Sequence, residues 1–261
     1  MTFLTIPFPL IDPVLIEIGP FAIRWYALAY IFGIFGGILY MKYLNKASNP
    51  IITSKQLDDF LIWTLVGVII GGRFGYVIFY NPAFYMNNIN EIFMTWKGGM
   101  SFHGGLVGVS LAIILYSHKL EINKWFLSDL VSCAAPIGIF LGRIANFING
   151  ELYGLPTEKP WGIIFPKIDN LTRHPSQIYE ALLEGLLLFL FLNFVINKTN
   201  KIGRHSGYFL IGYALARSIS EIYRTPDTVW GNDFLLFSFL TQGQLLSVPM
   251  IILGVFILSK K

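Results

Sequence analysis

A chain of 261 residues with 54% apolar and only 13% charged side chains, at a mean hydropathy of +0.61, does not read as a soluble domain, which normally carries about a quarter charged residues. The net charge of +4 comes from basic residues scattered along the chain rather than gathered in a stripe, which argues against a nucleic-acid partner. One cysteine, Cys133, rules out an internal disulfide framework and a thiolate metal cluster.

The N-terminal MTFLTIPFPLIDP lacks a basic start and contains three prolines, so it does not read as a cleavable signal peptide. Seven apolar stretches follow, at roughly 20–41, 58–80, 101–117, 128–147, 176–196, 206–224 and 242–259, each near the ~20 residues that a bilayer core requires. They predict an all-α polytopic membrane protein with seven transmembrane helices, forming a single integral membrane domain over 1–261. Ser128 with Asp129 is the expected start of the fourth helix, and His174-Pro175 places a proline at the first position of the fifth. Lys42, Lys46, Lys55, Lys119, Lys124, Lys198, Lys201, Arg204, Lys260 and Lys261 flank one side of these spans, whereas the opposite loops hold Lys97, Lys159, Lys167 and Arg173. Cytoplasmic loops collect Lys and Arg, so the N-terminus is expected outside and the C-terminus inside. The polar, Gly- and Pro-rich stretch 148–175 then becomes an outer head or lid, and 81–100, with YMNNINE, a segment lying along the membrane surface. Gly-Arg recurs in GGRFGY (71–76) and LGRIANF (141–147), a weak internal echo.

Ionisable groups inside hydrocarbon are costly and mark function by default. With this orientation, His103, Arg73, Arg143, Glu180, Glu184, Arg217, Glu221, Arg224, Arg24 and Tyr26 all map to the outer leaflet. Arg217, Glu221 and Arg224 follow at i, i+4 and i+7, and Gln177, Glu180 and Glu184 at i, i+3 and i+7, so each set is expected on one helix face. Polarity on one side only disfavours a transporter or channel, which needs polar groups through the full membrane thickness. The deep cations are all Arg, whose planar fork binds phosphate bidentately and stays charged when partly desolvated. An outer-leaflet set of Arg, Glu and one His suits an anionic phospholipid headgroup.

Blander readings apply to each feature. Arg217 with Glu221 reads equally as a structural ion pair, and Glu180 and Glu184 read as partners of the arginines rather than as catalytic acids. Cys133 reads as packing. His103 lies within Gly98-Gly99-Met100-Ser101-Phe102-His103-Gly104-Gly105, where glycines let a substrate or another backbone come close.

At the end of the fourth span the chain reads Gly142-Arg143-Ile144-Ala145-Asn146-Phe147-Ile148-Asn149-Gly150-Glu151-Leu152-Tyr153-Gly154. This resembles the signature of the prolipoprotein diacylglyceryl transferases, G-R-x-x-N-F-x-N-x-E-x-x-G, at every fixed position. GGMSFHGG around His103, HPSQIYEALLEG at 174–185, and the stretch from Arg217 to Arg224 followed by Thr225-Pro226-Asp227 resemble the same family. The resemblance implies a bacterial plasma (inner) membrane enzyme. It would move the sn-1,2-diacylglyceryl group of phosphatidylglycerol to the lipobox cysteine of a prolipoprotein, forming a thioether and releasing glycerol phosphate. It implies no metal or cofactor, and it makes Tyr26, His103, Arg143, Asn146, Glu151, Gly154, Arg217, Glu221 and Arg224 the residues that matter.

A thiol at its ordinary pKa of about 8.5 must be converted to thiolate. His103 is the candidate base, with Arg143 and Arg217 stabilising the departing phosphate and Glu151 and Glu221 orienting those arginines. Asn146 and Tyr26 would hold glycerol or ester oxygens, with Gly154, Arg73 and Arg224 as further substrate contacts. In the other allocation the arginines activate the thiol and His103 positions the headgroup. A different intramembrane phospholipid-processing enzyme, such as a phosphoalcohol transferase, would carry an aspartate-rich metal motif on a span. An intramembrane serine protease would carry a GxSx-type serine. The aspartate motif is absent, and no GxSx serine is joined by a distant histidine inside a span.

Overall fold

The computed structural model describes residues 6–19, 21–47, 51–196, 201–225 and 240–260, without the side chains of Phe21, Phe102, His103, Ile196 and Gln242. The chain is predominantly helical. Four helices among the described residues are long and apolar enough to cross a membrane, and shorter apolar helices accompany them. Two compact units result, one from the chain up to Tyr40 with Val131 onward, the other from Met41–Leu130.

In the first unit, β1 (Ile6–Pro7) is followed by a hairpin of β2 (Val14–Ile18) and β3 (Phe21–Arg24). α1 (Trp25–Ala47) begins directly after β3. The first span therefore starts five residues later than its apolar run suggests, because 21–24 are spent on strand pairing, with Gly19 at φ +59° in the turn.

The second unit is built on α2 (Ser54–Phe79) and α4 (Phe102–Lys119). Thr53 opens α2 with a reciprocal cap: its Oγ1 accepts from Gln56 N at 3.2 Å, and Gln56 Oε1 accepts from Thr53 N at 2.8 Å. Gly67, Gly71 and Gly75 of α2 lie against Gly104 and Gly108 of α4. A Cβ on Gly75 would fall 2.7 Å from Gly104 Cα, and one on Gly71 2.9 Å from Gly108 Cα. Close helix contact in lipid depends on such small residues, so Gly104 serves backbone approach to α2. Between these helices run α3 (Pro82–Asn87) and two short 3-10 turns, Ile89–Phe93 and Thr95–Lys97.

α5 (Lys124–Asn149) starts four residues ahead of Ser128, because the Asn123 side chain accepts from Trp125 N at 2.9 Å and caps it earlier. The 148–175 stretch carries β4 (Ile163–Ile164), parallel to β1 and antiparallel to β5 (Thr172–Arg173). Phe8, Phe147, Tyr153 and Phe165 fill a small aromatic core beside that sheet, with ring centroids 5.2–6.2 Å apart. These short strands, like β2 and β3, are the departure from the all-α expectation.

Pro175 is the residue before α6 (Ser176–Glu180), one position earlier than expected. α6 continues through a π-helical segment, Ala181–Leu187, into α7 (Leu188–Ile196). α8 (Arg204–Glu221) ends three residues short of Arg224, and α9 (Gln242–Ser259) follows.

Candidate active site

Arg143 sits in the penultimate turn of α5, one helical turn before Asn146 and two before Asn149 and Gly150. Its side chain meets two carboxylates of the α6–π helix. Nη1 is 3.0 Å from Glu180 Oε2, and Nη2 and Nε are 2.9 and 3.2 Å from Glu184 Oε2. Arg217 of α8 approaches the same pair: Nη1 is 2.6 Å from Glu180 Oε1 and 3.5 Å from Glu184 Oε1. Its Nη2 holds Glu221 Oε2 at 2.6 Å. Arg224 lies past the end of α8, so it does not share the helix face of Arg217 and Glu221. Its Nη1 still comes to 3.7 Å from Glu180 Oε1.

Three guanidinium groups thus share three carboxylates, and Glu180 touches all three. Buried charges persist only when paired in this way. The exposure is graded. Glu180 and Glu184 have no exposed side-chain surface, whereas Arg143 retains 17% and Arg217 12%. Arg143 and Arg217 are the more accessible members, whereas Arg224 at 5% is about as buried as Glu221 at 4%.

Glu151 does something other than orient an arginine. Its side chain, largely exposed, accepts from Asn146 Nδ2 at 2.7 Å and from Asn149 Nδ2 at 3.3 Å, while its carbonyl accepts from Gln177 Nε2 at 2.7 Å. The arginine-orienting carboxylates are Glu180, Glu184 and Glu221. The sharp turn that makes this possible uses Gly150 at φ +71° and Leu152 at φ +58°. Ser176 Oγ donates to Leu152 O at 2.9 Å and fixes that turn to the start of α6.

Gly154 pairs with Arg224 through the backbone: Leu155 N donates to Tyr223 O at 2.9 Å, and Thr225 N to Tyr153 O at 3.2 Å. A Cβ on Gly154 would strike the carbonyls of His174 and Tyr223, so the position has no room for a side chain. Below it, Arg173 donates to Gly154 O at 3.0 Å and grips Asp169 through two further bonds of 3.2 and 2.6 Å. Those bonds hold the Asp169 carboxyl below its ordinary value and raise Arg173. Burial, helped by Lys159, lowers the His174 imidazole.

Tyr26, second in α1, is half-buried and stacks edgewise on Tyr30 at 5.0 Å, with the two hydroxyls 3.4 Å apart. His103 is the second residue of α4, opened by Ser101, whose Oγ accepts from Gly104 N at 3.2 Å. The imidazole of His103 lies outside the described residues, as do Pro226 and Asp227.

Arg73 is occupied differently from a phosphate ligand. It belongs to the second unit, is 4% exposed, and donates Nε to Ile92 O at 2.7 Å, Nη1 to Gly98 O and Gly99 O at 2.5 and 3.0 Å, and Nη2 to Glu91 O at 2.5 Å. The Tyr85 ring lies 5.1 Å from its guanidinium carbon. Arg73 anchors the backbone of 91–99 just ahead of His103. That role had no signal in the sequence, because carbonyl partners leave no residue-type trace.

A family model for prolipoprotein diacylglyceryl transferase matches residues 13–260. A protein of Rhodospirillum rubrum named phosphatidylglycerol–prolipoprotein diacylglyceryl transferase is 51% identical, covering 98% of this chain and 95% of its own. Proteins of the same name from Rickettsia felis and Azospirillum brasilense are 49% and 48% identical, covering 97% and 98% of this chain and 98% and 97% of theirs.

Proposed function

Because the chain belongs to the prolipoprotein diacylglyceryl transferase family, we propose that it transfers the sn-1,2-diacylglyceryl group of phosphatidylglycerol to the lipobox cysteine of a prolipoprotein. The observation that carries this reading is the cluster in which the partly exposed Arg143 and Arg217, with the buried Arg224, pair with the buried carboxylates Glu180, Glu184 and Glu221.

Sulfur displaces a phosphate ester at an sp3 carbon of the diacylglyceryl group. A C–S bond forms, the C–O bond to phosphorus breaks, and glycerol phosphate leaves with one more negative charge than the diester carried. A guanidinium has five N–H donors, and the contacts of Arg143 to Glu180 and Glu184 engage three of its nitrogens. Donors that remain can take phosphate oxygens, while the buried carboxylates fix the plane of each fork and limit repulsion between the cations. Glu180, Glu184 and Glu221 are therefore positioning groups. Asn146, held by Glu151, and Tyr26, held by Tyr30, present a neutral amide and a phenol for glycerol or ester oxygens. His103 takes the thiol proton; the alternative leaves that task to the arginine field.

In this reading the chain crosses a bacterial inner membrane seven times as one integral domain over 1–261, with the N-terminus outside. The helices α1, α2, α4, α5, the α6–α7 run, α8 and α9 would be the spans. The 148–175 segment would be an extracytoplasmic head, and 81–100 would lie along the surface. The lysines flanking the alternate helix ends support that orientation. The test is direct: purified chain in liposomes receives phosphatidylglycerol labelled in its acyl chains and a lipobox peptide. Label must appear on the peptide as a thioether and glycerol phosphate must be released. A cysteine-to-serine peptide must stay unlabelled. No labelled peptide would refute the proposal.

A further inference from the structure

Gly243 is the second residue of α9, whose start is closed by a reciprocal cap. Thr241 Oγ1 accepts from Gln244 N at 3.3 Å, and Gln244 Oε1 accepts from Thr241 N at 3.2 Å. Gln244 Nε2 reaches Ser218 O at 3.4 Å, which ties this turn to α8. Gly243 lies against the carboxylate of Glu221. A Cβ built on it would sit 2.7 Å from Cδ and Oε2 and 2.9 Å from Oε1. The same Oε2 holds Arg217 Nη2 at 2.6 Å. The carboxylate is caught between a guanidinium and the first turn of a helix, where the partial positive charge of the helix also favours it.

We propose that Gly243 is a positioning residue: its missing side chain is the space that lets Glu221 align Arg217. The proposal rests on the reading of Arg217 as a ligand of the leaving phosphate, and deepens it. A side chain here would spare the fold, because what it strikes is the end of a flexible side chain that can swing aside. Alanine also favours a helix over glycine by about 1 kcal/mol. What is lost is the bond from Glu221 to Arg217, and with it the set of the guanidinium plane.

The experiment compares full-length wild type, Gly243→Ala, Glu221→Asp, Glu221→Ala and the doubles Gly243→Ala/Glu221→Asp and Gly243→Ala/Glu221→Ala, by thermal unfolding and by transfer kinetics. Gly243→Ala should unfold within a few degrees of wild type and lose about tenfold or more in kcat, with a smaller change in KM for phosphatidylglycerol. Aspartate, one methylene shorter, withdraws the carboxylate from the new methyl group, so the Asp double should be more active than Gly243→Ala alone. In the Glu221→Ala background Gly243→Ala should cost nothing further. Wild-type kcat in Gly243→Ala, an equal loss in both backgrounds, or a Gly243→Ala chain that unfolds would overturn the proposal. A wild-type chain that transfers no diacylglyceryl group would sink the functional reading instead. The thermal cycle would then decide this one alone: additive shifts for Gly243→Ala and Glu221→Ala overturn it, and coupled shifts sustain it.

Discussion

Glu180 Oε1 lies 2.6 Å from Arg217 Nη1 with no exposed surface on the carboxylate side chain, and the other oxygen of the same group lies 3.0 Å from Arg143 Nη1. One buried anion therefore sets the spacing between two cations carried by different helices, α5 and α8.

Removing that anion leaves three guanidinium groups with only Glu184 and Glu221 to offset them in a poorly solvated place. Glu180→Ala should lower stability by about 3–5 kcal/mol, the usual result of breaking one side of a buried ion pair. It should also reduce diacylglyceryl transfer by more than about a hundredfold, roughly the loss of 3 kcal/mol of transition-state stabilisation. Glu180→Gln, which keeps the shape but not the charge, should fall between. Thermal unfolding in detergent together with transfer kinetics checks both.

Arg73 gives a contrasting expectation. Its donors go to the carbonyls of Glu91, Ile92, Gly98 and Gly99. Arg73→Ala should raise amide exchange across 88–99 and cost about 2–4 kcal/mol, since several backbone acceptors lose a charged donor at once. KM for phosphatidylglycerol should stay at its wild-type value. Lysine should not rescue, because one ammonium group cannot span carbonyls that a fork reaches from both sides. A raised KM with unchanged exchange would return Arg73 to the substrate-binding set.

The helices were legible because spanning segments have long apolar runs, and Arg143, Arg217 and Glu221 were legible because charges in such runs stand out. Three features were hidden for identifiable reasons. The π-helical segment carrying Glu184 has no residue-type signature. Glu180 and Glu184 read as arginine partners from the sequence and are so; what was hidden is that Glu151, expected to share that role, turns to Asn146 and Asn149 instead. The strands β1, β4 and β5 are two residues each, too short to leave a period, and β1 finds its partner far along the chain, Ile6 opposite Ile163.

The 148–175 stretch should respond to acid through Asp169. Its carboxyl is held below the ordinary 3.8 by hydrogen bonds from Arg173. A depressed carboxyl stabilises the folded form fully above its ordinary value and loses that contribution as the pH falls through the lower folded value. At neutral pH, Asp169→Asn should therefore speed exchange of the Gly154, Thr157 and His174 amides, whose bonds brace this region. Well below 3.8 the rates of the wild type and of the Asp169→Asn variant should converge. Exchange followed by mass spectrometry reads both.

In the proposed reaction Arg143 and Arg217 take the phosphate of an anionic phospholipid. Native mass spectrometry of the purified protein, titrated with phosphatidylglycerol and with zwitterionic phosphatidylcholine, measures it most directly. Wild type should prefer phosphatidylglycerol, and Arg143→Ala and Arg217→Ala should each lose about tenfold or more of that preference, the worth of one charge-assisted contact. An undiminished preference in both variants would contradict the account.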